Sequence, residues 1–230
     1  GQDRNKFITI HNGFDREDFD IGISGHYEKC TITYAGVFYF SVGSSFERSS
    51  GDDIMRTYSP FYFFDALERV FALRPDIKER LQVNFMGILG HGYDPMIQSR
   101  GLAGIINRLG YIDYNEHIAV LKKSHALLLV LSTGEMSRGW VPSKFFQYMG
   151  SGNPVLALAP PGEVRNIIDK TQSGLYVDPD DVGGIADAII RLYDEHYASG
   201  KQFERREEEV MKYERKYLAS LLARAADRLS

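Results

Sequence analysis

The chain has 230 residues, enough for one large or two small domains. Its 43% hydrophobic and 25% charged residues, with 14 Phe and 14 Tyr, exclude disorder as the main state. With 27 basic and 31 acidic residues the net charge is −4, which argues against bulk nucleic-acid binding but allows a local basic pocket for one phosphorylated ligand. The single cysteine, Cys30, excludes an intramolecular disulfide and a paired-cysteine zinc site; it reads as a small buried hydrophobe. No stretch approaches the roughly 20 apolar residues of a membrane span, and no signal peptide opens the chain. The start at Gly1, without Met, reads as a piece of a longer protein.

In chain order, residues 7–11 read as a short strand before the turn signal Asn12-Gly13. Residues 31–34 form a strand ending at Ala35-Gly36. Pro60 opens a helix, since proline in the first turn loses no bond, and Phe64, Leu67 and Phe71 recur at helical spacing as its core face. Residues 83–88 are a strand followed by Gly90 and Gly92, residues 94–100 a short helix, and 105–109 a strand ending in Gly110. Residues 115–123 are a helix, and 126–131 a continuous apolar run, the mark of a strand buried on both faces of a parallel sheet. Helix 142–149, strand 154–158, helix 163–170, strand 174–177 and helix 181–197 follow. Residues 210–229 make a last, charged helix with Tyr213, Tyr217, Leu221 and Leu222 inward. Two polar loops, 15–29 and 42–57, are long enough to be functional or disordered.

Strands alternating with helices imply βαβ units and right-handed crossovers. The expected fold is α/β: a Rossmann-like, doubly wound parallel sheet of about six strands with helices on both faces. Ligands of such sheets bind beyond the carboxyl ends of the strands, at the switch point. That directs attention to Gly36 onward and to 87–92, 110–114 and 132–144.

The segment from Ser132 to Val155 stands out. A buried strand gives way to a loop with Gly134 and Gly139, and then to a helix with Ser143 and Lys144 in its first turn. A helix N-terminus attracts anions, so a lysine there breaks the local charge rule and hints at a bound phosphate. A surface lysine on a solvated turn accounts for the local sequence equally well. The six histidines show no metal-ligand spacing. His91, between two glycines beyond a strand end, lines the cleft or sits in a surface loop. Trp140 is expected to pack rather than serve as a lid, and the mixed-charge run 204–209 reads as a solvated helix face.

Pro142-Ser-Lys-Phe-Phe-Gln-Tyr-Met-Gly-Ser-Gly-Asn-Pro-Val155 resembles the P-S-K-x-x-E-Y-M-A-x-G-x-P-V signature of the GT-B glycosyltransferases of the large retaining family 4. Five further segments agree in order: Ile10-His-Asn-Gly-Phe-Asp15, Ile32-Thr-Tyr-Ala-Gly36, Arg56 to Leu67, the pair Val83 to Gly87 and Leu109 to Ile112, and Gly174 to Pro179. The resemblance spans roughly residues 8–195. It implies a single GT-B half, the C-terminal, donor-binding domain, with residues 1–200 as the nucleotide-sugar-binding unit. Residues 201–230 would be a helix packing back on it or toward an N-terminal domain.

The implied activity is glycosyl transfer from a nucleoside-diphosphate sugar, such as a UDP-sugar, to a glycan or lipid-linked acceptor in polysaccharide assembly. The resemblance further implies no metal and no other cofactor. It places the enzyme in the cytoplasm at the inner membrane face, with peripheral membrane association through the other half. The isolated chain is expected to be inactive, its catalytic groups lying in the N-terminal domain. Residue by residue, Arg56 and Lys144 match the basic pair on the donor diphosphate, where cations stabilise developing charge and arginine offers a bidentate fork. Gln147 stands where the family usually has the glutamate that accepts the ribose hydroxyls. Tyr111 and Ile112 match the base-reading position, with Tyr114 available to stack. Gly36, Glu135 and Ser143 face the sugar. The first glutamate of the family's E-x7-E pair falls at Gly139 and is missing; Glu135 substitutes only if the loop is shaped for it. Two alternatives remain: a degenerate, non-catalytic nucleotide-sugar-binding module, and a nucleotide-sugar 2-epimerase, against which the lack of paired acids around 135–147 counts.

Overall fold

The computed structural model describes residues 8–38 and 58–227. Six strands form one parallel sheet: β1 (Cys30–Phe38), β2 (Leu81–Leu89), β3 (Ile106–Gly110), β4 (Ala126–Val130), β5 (Val155–Leu158) and β6 (Gly174–Val177). Their order is β3-β2-β1-β4-β5-β6. The order reverses between β1 and β4, so the crevice of this doubly wound sheet opens at their carboxyl ends.

Alternation along the strands sends side chains to two separate cores. Ala126, Leu128 and Val130 of β4 join one, with Ile32, Tyr34, Val83 and Phe85. Leu127 and Leu129 of β4, with Leu131 beyond its end, join the other, with Val155 and Ala157. The continuous apolar run is thus explained by two buried faces. Helix α1 (Phe61–Leu73), the short α2 (Asp94–Ser99) and α6 (Val182–Leu192) cover the first face. Helices α3 (Tyr114–Lys123), α4 (Ser143–Ser151) and α5 (Glu163–Thr171) cover the second. As expected, Phe64, Leu67 and Phe71 of α1 are buried, and Cys30 is buried, its thiol pushed up to about 12 by loss of water.

Four expectations need correction. Residues 8–13 form no strand; only Phe14 makes an isolated bridge, to Glu214. The bonded backbone next to this segment goes to the C-terminal turn at Tyr213 and Glu214 and not to the sheet. Strand β1 does not end at Gly36 but continues through it, paired to β2 as far as Phe38 with Leu89. The helix expected over 181–197 is α-helical only to Leu192, and a wider π turn follows at Tyr193–Ala198. The last helix is broken: a turn at Glu207–Val210 and a 3-10 turn at Met211–Tyr213 precede extended backbone at Glu214, and α7 spans Arg215–Asp227.

The break lets the chain cross the N-terminal segment. Phe14 N–H donates to the Tyr213 carbonyl at 3.1 Å, and Arg215 N–H to the Phe14 carbonyl at 2.9 Å. The inward residues change accordingly. Val210, Tyr213 and Leu218 are buried, whereas Tyr217 and Leu222 are 39% and 61% exposed. Upstream of α7, Arg206 N–H donates to the Thr171 carbonyl at 2.8 Å, and Arg205 pairs with Glu207.

Candidate functional site

At the switch point a cavity of about 250 Å³ is lined by Ala35, Gly36 and Val37 of β1, Met86 and Gly87 of β2, Gly110, Tyr111 and Ile112 at the end of β3, His117 of α3 and Lys144 of α4. Two larger hollows, of about 1390 and 460 Å³, lie at the opposite ends of the strands, beside Gly174 and Pro154. The carboxyl ends of α3 and α4 point there, and their partial negative charge disfavours an anion.

Two glycines make the crevice. Gly36 and Gly87 are paired across β1 and β2. Their φ angles are +148° and +95°, a region that side-chain-bearing residues adopt only with strain. A Cβ at Gly87 would lie 2.3 Å from the Gly36 carbonyl oxygen, and one at Gly36 would lie 2.7 Å from Lys144 Nζ. Glycine is therefore what keeps backbone exposed at the floor of the cavity.

Helix α4 supplies the polar wall. Pro142, with extended backbone, precedes its first residue and Gly152 ends it in the left-handed conformation. Positions four apart share a helix face, and Lys144 and Tyr148 both reach Ala35. The buried Tyr148 hydroxyl accepts the Ala35 N–H at 2.8 Å. The Lys144 ammonium donates to the Ala35 carbonyl at 2.9 Å and to the Tyr34 hydroxyl at 3.1 Å, and lies 4.3 Å from the Tyr34 ring centroid. No carboxylate among the described residues forms a salt bridge with it. Loss of water brings its pKa down to about 8. A desolvated cation with no counter-ion among the described residues, at the carboxyl ends of parallel strands, is suited to an anion.

Across the cavity, Asp113 caps α3 by accepting the Glu116 N–H at 3.0 Å. One turn in stands His117. Burial moves its imidazole below the ordinary value, and the Gln147 side chain, interacting with it, opposes that shift. Its Nε2 is buried and has no hydrogen-bond partner among the described residues.

Of the residues singled out from the sequence, Gly36, Tyr111, Ile112 and Lys144 come together around this cavity. Gln147, Glu135 and Ser143 are not in its lining. Gln147 meets His117 instead, and Glu135 and Ser143 are exposed. Arg56 and the loop 42–57 lie outside the described residues. His91 is not in the lining either; it is exposed and paired with Asp94 at 2.9 Å. Tyr114 bonds Asp18 and lies parallel to the His117 ring, with centroids 6.4 Å apart. Trp140, expected to pack, is 46% exposed with its ring 6.2 Å from Tyr58. The sequence reading missed His117 and Tyr34. No spacing flags either one: Tyr34 lies inside β1, and His117 lies on α3, past the end of β3. Among the described residues no group of His, Cys, Asp or Glu is placed to hold a metal, and no helix is long and apolar enough to cross a membrane.

Fold and site together define a doubly wound, Rossmann-like α/β domain with a lysine at its switch point. The family model described as glycosyl transferases group 1 matches residues 62–195, more than half of the chain. The chain belongs to that family. No curated protein matches the sequence. Among solved structures, Anabaena Alr3699/HepE, in complex with UDP and glucose, superposes with a TM-score of 0.66 at 13% identity, over 95% of this chain and 56% of that one. The lipopolysaccharide outer core galactosyltransferase WaaB gives 0.63 at 14% identity, over 97% and 56%. Sucrose-phosphate synthase from Thermosynechococcus elongatus gives 0.59 at 17%, over 96% and 52%. At such identities the likeness is one of fold. The chain spans about half the length of these proteins.

Proposed function

We propose that this chain is the donor-binding, C-terminal half of a GT-B glycosyltransferase of the retaining family 4 type, and that it holds a nucleoside-diphosphate sugar. The observation that carries the reading is Lys144: a desolvated ammonium with neutral partners and no salt-bridged carboxylate among the described residues, at the mouth of a glycine-floored crevice. An anion there completes the charge balance, and as the diphosphate departs, the same cation stabilises the negative charge that develops. Arg56 joins Lys144 on the diphosphate. Tyr111 and Ile112, at the end of β3, read the base. Gly36, Glu135 and Ser143 serve the sugar side, and the family's ribose position falls at Gln147, which lies outside the cavity lining. Metal-free transfer follows from this use of side-chain cations.

Residues 1–200 form the nucleotide-sugar-binding unit, and 201–230 a tail that packs back on it or toward the other half; the bonds of Arg206 and Tyr213 to Thr171 and Phe14 support packing back. That other half supplies catalytic groups and a glycan or lipid-linked acceptor, in cytoplasmic polysaccharide assembly at the membrane face. HepE, similar in fold, is held with UDP and glucose, which favours UDP as the first nucleotide to try. Calorimetry with UDP, GDP and uridine tests the reading. At least one diphosphate should bind, and more tightly than its nucleoside. Binding of neither diphosphate, or equal binding of UDP and uridine, overturns it.

A further inference from the structure

A buried imidazole nitrogen without a partner is costly, since an unsatisfied buried polar atom forfeits its bonds to water. Among the described residues His117 Nε2 is such an atom, and its residue lines the cavity at the switch point. Helices α3 and α4 pack side by side on one face of the sheet, which brings the His117 ring against Gln147. From Lys144 over β1 to the end of β3 the cavity crosses two strand spacings, about 10 Å. A nucleoside diphosphate lying along it has phosphate at Lys144, base at Tyr111 and Ile112, and ribose between.

Resting on the nucleotide reading above, we propose that His117 is the ribose-contacting side chain of this site: its Nε2, unpartnered among the described residues and carried by a side chain that lines the cavity, hydrogen-bonds a ribose hydroxyl, and Gln147, outside the lining, is the positioning residue that holds the ring. A hydroxyl both donates and accepts, so it satisfies Nε2 in either tautomer. The neutral amide of Gln147 suits a neutral ring, because a carboxylate in its place would favour the imidazolium. A glutamine at this position is thereby explained without any direct contact between its amide and the nucleotide.

The test is calorimetry on the 230-residue chain with UDP, 2′-deoxy-UDP and 3′-deoxy-UDP. The wild type should bind UDP about two- to tenfold more tightly than at least one deoxy form, the worth of one neutral hydrogen bond. His117→Ala and His117→Phe should abolish that preference and still bind all three. Retention of the preference in both variants overturns the proposal, as does its absence in the wild type. If no nucleoside diphosphate binds the wild type, the donor-site reading falls, and the His117 role with it. Nitrogen NMR of the wild type needs no variant: the His117 Nε2 resonance should move with UDP and stay still with inorganic pyrophosphate. An unmoved resonance in UDP-saturated protein overturns the contact. For Gln147 the readout is the tautomer ratio of His117. Gln147→Leu should change that ratio and weaken the UDP preference, whereas an unchanged ratio removes the positioning role.

Discussion

Replacing Lys144 with methionine should stabilise the free protein and impair the site at once. Methionine keeps the apolar stem that packs along Tyr34 and discards the ammonium. A lysine desolvated on folding holds its proton less tightly in the folded state than in the unfolded one. Between about pH 8 and the ordinary value of 10.5 the unfolded chain therefore binds more protons, and stability rises with pH. Below pH 8 the full cost of the buried charge is present. A gap from 10.5 to about 8 corresponds to roughly 3 kcal/mol at pH 7. The bonds from Nζ to Ala35 and Tyr34 already act against that cost. Lys144→Met should thus raise Tm at pH 7 by up to about 10 °C, with the advantage shrinking toward pH 10.5. The same variant should bind UDP on the order of tenfold to a hundredfold more weakly, the worth of a charge-assisted hydrogen bond. Saturating UDP should reverse the order of the melting temperatures, because ligand stabilises only the protein that binds it. The wild type should itself lose UDP affinity above about pH 8 as the ammonium deprotonates. Thermal melts and calorimetry across pH 6 to 10 read all of this. A variant that melts below the wild type at pH 7 while binding UDP equally well would refute the reasoning.

Other perturbations separate the scaffold from the site. Gly87→Ala places a Cβ 2.3 Å from the Gly36 carbonyl in a left-handed backbone; it should cost at least about 1–2 kcal/mol in denaturant unfolding. Tyr148→Phe leaves the Ala35 N–H without its acceptor, and urea titration should show a loss of about 1–3 kcal/mol. Gln147→Glu sets a carboxylate beside His117, so the imidazole NMR titration midpoint should move upward and oppose the lowering caused by burial; an unmoved midpoint means that the two side chains do not interact. The chain by itself should transfer no sugar to an acceptor, because the proposed catalytic groups belong to the other half; product detected by mass spectrometry with this chain alone would contradict the two-domain mechanism.

The alternation of strand and helix was legible because it is a local property. The run from Ala126 to Leu131 is apolar at every position, and only a strand buried on both faces needs that. Pro142, Ser143 and Lys144 marked the start of α4 for the same reason: first-turn preferences act over a few residues. The broken last helix was not legible. Its helical spacing continues through Glu214, and the break comes from backbone bonds to Phe14 at the other end of the chain. Burial of Leu218 in place of Tyr217 and Leu222 follows from that crossing. For the site, the sequence carried the identity of Lys144 but not its condition. Only the fold sets its ammonium over the Tyr34 ring, in a salt bridge with no carboxylate of the described residues, where loss of water lowers its pKa. His117 and Gln147 likewise lie on separate helices. Nothing in either segment records the other, and it is the packing of α3 beside α4 on one face of the sheet that joins them.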